Sequence, residues 1–138
     1  MKFGEKVRKA RLETGLSQKH LAVRTGIALR TIQNYEMYGK LPKQREYYHS
    51  LAEALNMEVN VLLDENAEFV LKATENYGSR GNAQAEKLIA EISGLYAGGE
   101  LADEDMDAMM QAIQEAYWIA KKKNRKFVPM KYRAKPDQ

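Results

Sequence analysis

Residues 16–36 read LSQKHLAVRTGIALRTIQNYE. Helix-forming residues stand on both sides of Gly26, so the stretch predicts two very short helices around a turn that needs positive φ. Ser17 is the cap candidate of the first, which would run to about Arg24. The second would run from about Ala28 to Tyr35. On a wheel of about 100° per residue, Ala28, Ile32 and Tyr35 gather on one side, with Ile27 just ahead. Leu29, Arg30, Gln33 and Asn34 gather on the other. One face is therefore expected to be buried, and the opposite face to offer hydrogen-bonding groups. Leu21 and Ala22 supply the inner side of the first helix, and the small Ala22 permits a close crossing. Two helices around a short glycine turn match the helix-turn-helix description.

The surroundings are also helical. Phe3, Val7, Ala10 and Leu12 give an apolar side to a helix over about Lys2–Glu13, with Gly15 as its C-cap. MYGKLPKQ (37–44) reads as a loop broken by Gly39 and Pro42. Arg45–Leu55 predicts a fourth helix with Tyr48, Leu51, Ala52 and Leu55 inward. A short fifth, about Asn60–Asp64, would contribute Val61 and Leu62. Residues 65–82 read as a connector: one helix with Phe69, Ala73 and Tyr77 in register, then a break at Gly78 and Gly81. Asn82 would cap a helix to about Tyr96, with Leu88, Ile89, Ile92 and Tyr96 on one stripe. AGGE (97–100) makes a tight connection, and Asp103 would cap a last helix to about Lys123. Met106, Met109, Met110, Ile113, Ala116, Tyr117 and Ala120 follow its helical spacing as one packing stripe. These two helices form an antiparallel hairpin, which cannot bury its stripes alone. The expected fold is all-α: a five-helix domain over 1–64, a connector helix over 65–82, and a helical hairpin with a basic tail over 83–138.

Charge is unevenly placed. Residues 1–45 hold 11 basic and 3 acidic side chains, residues 46–120 hold 3 and 15, and residues 121–138 hold 8 and 1. Basic ends flanking an acidic middle suit a polyanion such as nucleic acid, or simply a solvated surface. The chain has no cysteine, which excludes disulfides and thiolate chemistry. No stretch resembles a secretory signal or a membrane span, so the expected location is the cytoplasm, without membrane contact.

The stretch from Gly15 to Glu36, with its flanks, resembles the lambda-repressor/Cro-like helix-turn-helix family, also called the XRE family. The likeness runs over about residues 3–64: a leading basic helix, LSQ–x–x–LA, G–I, T–I–x–x–Y–E, the proline loop, LAEAL, then VNVLL. It implies a helix starting at Gln18 that lies across the DNA backbone, and a helix over 28–35 that enters the major groove. It implies base-proximal positions at Ala28, Leu29, Arg30, Thr31, Gln33 and Asn34. Arg30 would pair with guanine, Gln33 or Asn34 with adenine, and Leu29 would meet a thymine methyl. Gln18 would bond a phosphate or brace a base-contacting side chain. Lys40, Lys43 and Arg45 fall in the loop that follows the backbone, and Arg11 and Lys19 would add phosphate contacts. Glu36 reads as a brace to a basic side chain within the domain. Two positions depart from the family pattern. His20 stands where a glutamate capping arm is common, and Ala28 gives the recognition helix no side-chain cap.

The resemblance implies a sequence-specific regulator of double-stranded DNA, of repressor type, acting on a palindromic operator as a homodimer joined through the hairpin. The alternative is an antitoxin-like or adaptor protein whose hairpin binds a different protein. Catalysis is not expected. No phosphate-binding glycine loop, metal-spaced cluster or nucleophile triad is present, and His20 and His49 stand apart, so no cofactor or metal is expected. In the tail, Lys121–Lys123, Arg125 and Lys126 would follow a phosphate backbone or decorate a helix C-terminus, the second reading being favoured.

Overall fold

The computed structural model describes residues 1–99 and 102–125, the last two as backbone only. Every regular element among them is an α-helix. In chain order these are α1 (Phe3–Glu13), α2 (Gln18–Thr25), α3 (Leu29–Tyr38), α4 (Arg45–Ala54), α5 (Val59–Leu62), α6 (Glu65–Ala97) and α7 (Asp103–Arg125). The chain divides into two compact units, Met1–Glu75 and Asn76–Gln138.

The first unit closes on one apolar core. Val7, Leu21, Ile32, Tyr48 and Leu51 have no solvent exposure, and Phe3, Leu16, Ile27, Tyr35, Ala52, Leu55 and Leu62 are buried around them. Phe3 sets its ring edge-on to Tyr35 at 5.4 Å and to Tyr48 at 5.6 Å, the arrangement favoured by aromatic quadrupoles. Gly4 lets α1 lie directly on α3: a Cβ there would collide with the Tyr35 carbonyl oxygen and sit 3.2 Å from Glu36 Cα. Leu12, expected inward, is exposed. At about 100° per residue it falls opposite Phe3, and Arg11 takes the inner position instead. Val61 is likewise exposed, leaving Leu62 as the core residue of α5.

The region read as a connector is the start of a long helix. Asp64 accepts from the Ala67 backbone N–H at 2.9 Å, so it caps α6 at once, and Ala67 and Leu71 join the core of the first unit. That unit accordingly reaches Glu75, beyond the boundary expected at residue 64. Helical dihedrals fail at Gly78 alone (φ 67°, ψ −151°). Gly81 and Asn82 do not break or cap the helix; both are buried within it.

In the second unit, the part of α6 after Gly78 and α7 form an antiparallel hairpin. Tyr77 packs edge-on to Tyr117 at 6.5 Å, and the Tyr117 hydroxyl donates to Gln84 Oε1 at 3.2 Å. Ile92, Met110 and Tyr117 are buried, while Tyr96 and Met109 are exposed. Asp103 opens α7 as its first helical residue instead of capping it. The Lys121 ammonium lies 4.9 Å from the Tyr77 ring centre and 5.7 Å from that of Tyr117, a cation–π site that gives this lysine a packing role. Glu100, in the expected AGGE connection, and Lys126 with the tail beyond it lie outside the described residues.

Candidate nucleic-acid interface

Short-range hydrogen bonds fix both ends of α2 and the turn that leads to α3. Ser17 Oγ accepts from the His20 N–H at 3.0 Å and caps α2. Gly26, at φ 75°, ends it with a bond to the Ala22 carbonyl. Thr25 Oγ1 donates to the Leu21 carbonyl at 2.8 Å and accepts from the Ile27 N–H at 3.2 Å. Thr25 thus satisfies a donor that the turn would otherwise leave open. Sequence reasoning passed over it, although a threonine just before the turn glycine was the visible signal.

From this turn α3 runs to Tyr38, one turn further than its sequence pattern indicated, so Met37 and Tyr38 belong to the helix and not to the loop. Ala28 occupies the N-cap position without a side-chain hydrogen bond, as its methyl group dictates. Ile32 and Tyr35 are buried, and burial pushes the Tyr35 phenol up to about 12. Ala28, expected on that inner side, is exposed, as are Leu29 and Arg30; Thr31, Gln33 and Asn34 are half-buried. Among the described residues, the side chains of Arg30, Thr31, Gln33 and Asn34 make no hydrogen bond or ion pair within the chain. The outer face of α3 is therefore a set of available donors and acceptors around one apolar residue, Leu29. Lys40 and Lys43 are exposed in the loop that follows, with Pro42 buried between them.

The other expected contacts are engaged elsewhere. Arg45 heads α4, where its guanidinium holds Glu68 by two hydrogen bonds of 2.8 and 2.9 Å and Glu75 by two more of 3.0 and 3.3 Å. Those hydrogen bonds, to Glu68 first and Glu75 second, raise the Arg45 pKa and hold the Glu68 carboxyl below its ordinary value. Arg45 is thus engaged in an intramolecular bridge to two carboxylates. Arg11 is also internal: it is buried against Glu36 and donates to the Leu16 carbonyl at 3.0 Å. Gln18 gives its amide to Glu36 Oε1 at 3.3 Å, so it braces that carboxylate. Glu36 is the brace its sequence position indicated, and Lys19 remains exposed.

Among the described residues, no His, Cys, Asp or Glu cluster is arranged to hold a metal ion, and no helix is long and apolar enough to cross a membrane. Comparison with protein-family models, with curated proteins and with solved structures finds no match for this chain.

Proposed function

We propose that the chain is a sequence-specific double-stranded DNA-binding regulator of the helix-turn-helix type, acting as a repressor, with α3 as the recognition helix. The observation that carries this reading is the outer face of α3. Arg30, Gln33 and Asn34 are held on a rigid short helix by Ile32 and Tyr35, and their polar groups are not used inside the chain. Arg30 is exposed and Gln33 and Asn34 are half-buried, so their donors and acceptors, unspent inside the chain, are open to a partner. Arg30 suits guanine O6 and N7, Gln33 and Asn34 suit adenine N6 and N7, and Leu29 suits a thymine methyl. Lys40 and Lys43 would supply sequence-independent affinity through phosphates.

The active form is a homodimer on a palindromic site. Docked as helix-turn-helix dimers dock, its half-sites lie one helical turn apart, roughly 34 Å. The second unit supplies the dimer contact, since a lone helical hairpin leaves apolar surface open, here at Met109 and Ile119.

The experiment is selection of binding sequences from a random double-stranded DNA pool with the purified full chain. The Arg30→Ala, Asn34→Ala double variant runs in parallel. A palindromic motif that the double variant fails to enrich supports the reading. A folded wild-type chain that enriches nothing removes it.

A further inference from the structure

Helix α7 carries two apolar stripes, and the hairpin uses only one. Met110 and Tyr117 are buried and Met106 and Ile113 half-buried on the side that meets Gln84 and Tyr77. Met109, Ala112, Ala116 and Ile119 are all exposed, Ile119 at 60%. Their separations alternate between three and four residues, the spacing of a coiled-coil seam. The seam lies about 110° around the helix from the inward stripe. One further step in each direction reaches two exposed charges of opposite sign, Asp105 and Lys123.

We propose that this seam joins two copies of the chain, with the two α7 helices packed antiparallel. The inference rests on the dimeric reading above and adds the face and the register. A two-fold axis at the level of residue 114 sets Met109 opposite Ile119 of the second copy, Ala112 opposite Ala116, and Asp105 opposite Lys123. The same axis makes each pairing occur twice. Alanine opposite alanine lets the helices approach at the centre, and methionine opposite isoleucine fills the space on either side. The charged pairs close both ends of a seam about 27 Å long, at about 1.5 Å of rise per residue.

Charge selects this direction. The first turn of α7 is acidic, with Asp103, Glu104 and Asp105, while its last turns carry Lys121, Lys122 and Lys123. A parallel pair would set Asp105 against Asp105 and Lys123 against Lys123. The antiparallel pair sets acid against base at both ends, and like-charge juxtaposition disfavours the alternative.

The absence of cysteine makes single-thiol probes straightforward. Full-length Met109→Cys and Ile119→Cys chains are treated with a short bismaleimide, separately and as a mixture. Cross-linked dimer is expected from the mixture and not from either variant alone, because like positions lie about 15 Å apart along the axis. Cross-linking of each variant with itself overturns the antiparallel register and leaves a dimer standing. A dimer by sedimentation with no cross-link in any combination moves the contact to another face, which overturns the inference but not the dimeric reading. A monomer, or a stable complex with a different protein only, removes both. In a second arm, Asp105→Lys or Lys123→Asp alone weakens dimerisation about tenfold, and the two together restore it. Equal dimerisation by all three variants overturns the charge argument.

Discussion

Arg11 and Glu36 meet in a two-point contact: Nε donates to Oε2 and Nη2 to Oε1, both at 2.9 Å. The side chains are 11% and 3% exposed. The pair fixes the inner side of α1 to the C-terminal part of α3, and Gln18 adds a bond to the same carboxylate from the start of α2. Three helices therefore converge on one buried carboxylate. The hydrogen bonds to Glu36 raise the pKa of Arg11 against the opposing effect of burial.

Breaking that contact from one side leaves a charge buried without its counter-ion. Glu36→Gln is expected to destabilise the first unit by about 3 kcal/mol, read as a lower urea midpoint at unchanged slope. Replacing both partners with methionine should cost much less, because no charge is then stranded. A Glu36→Gln chain as stable as wild type would show that the pair anchors nothing.

Gly4→Ala tests the crossing of α1 and α3. The added Cβ meets backbone atoms of Tyr35 and Glu36, which cannot rotate away. The helix-propensity gain of about 1 kcal/mol for alanine over glycine should be exceeded by overpacking of about 2–3 kcal/mol. Net destabilisation in thermal unfolding is expected, and a net gain in melting temperature would mean that the helices separate easily.

The Arg45–Glu68 contact predicts the acid behaviour of the first unit. Hydrogen bonds from Arg45 are the main reason the Glu68 carboxyl sits below its ordinary value. The unfolded chain therefore binds this proton more readily than the folded one. The contribution is complete above the ordinary carboxylate range and is lost as pH falls through the depressed folded value. Both side chains are partly solvated, which limits the effect to about 1 kcal/mol. Glu68→Gln should flatten this part of the stability profile in acid. An unchanged acid limb would assign it to other carboxylates.

For DNA, the loop lysines and the helix arginine should separate cleanly. Lys40→Ala with Lys43→Ala should weaken binding alike on all sequences and reduce the logarithmic salt slope by about 2. Arg30→Ala should cost about 1–3 kcal/mol on the preferred site and relax choice at one base pair. Arg45→Ala should leave the salt slope unchanged, since its charge is spent on Glu68 and Glu75. A drop in slope for Arg45→Ala would return it to the interface.

Local signals in the sequence carried far. Ser17, Gly26, Ile32 and Tyr35 were all readable, because caps, turns and helical faces depend on neighbours a few residues away. The fates of Arg11 and Arg45 were not. Their carboxylate partners lie 25 residues away for Glu36, and 23 and 30 for Glu68 and Glu75. Only tertiary packing decides whether a surface-type cation meets one of these. Gly81 misled for another reason. A glycine reads as a breaker, yet here it is buried inside a helix.

Gly78 carries a consequence of handedness. Its dihedrals, φ 67° and ψ −151°, lie in a region essentially reserved for glycine. Inverted through a mirror, they become the ordinary left-handed extended conformation of an L-residue. The bend in α6 is therefore a D-amino-acid position written into an L-chain. No atom lies close enough to obstruct a Cβ there, so stereochemistry alone reserves the site. A chain assembled by chemical ligation with D-alanine at residue 78 would keep the bend and lose some freedom in its unfolded state. L-alanine at that point would be pressed to run the helix straight through.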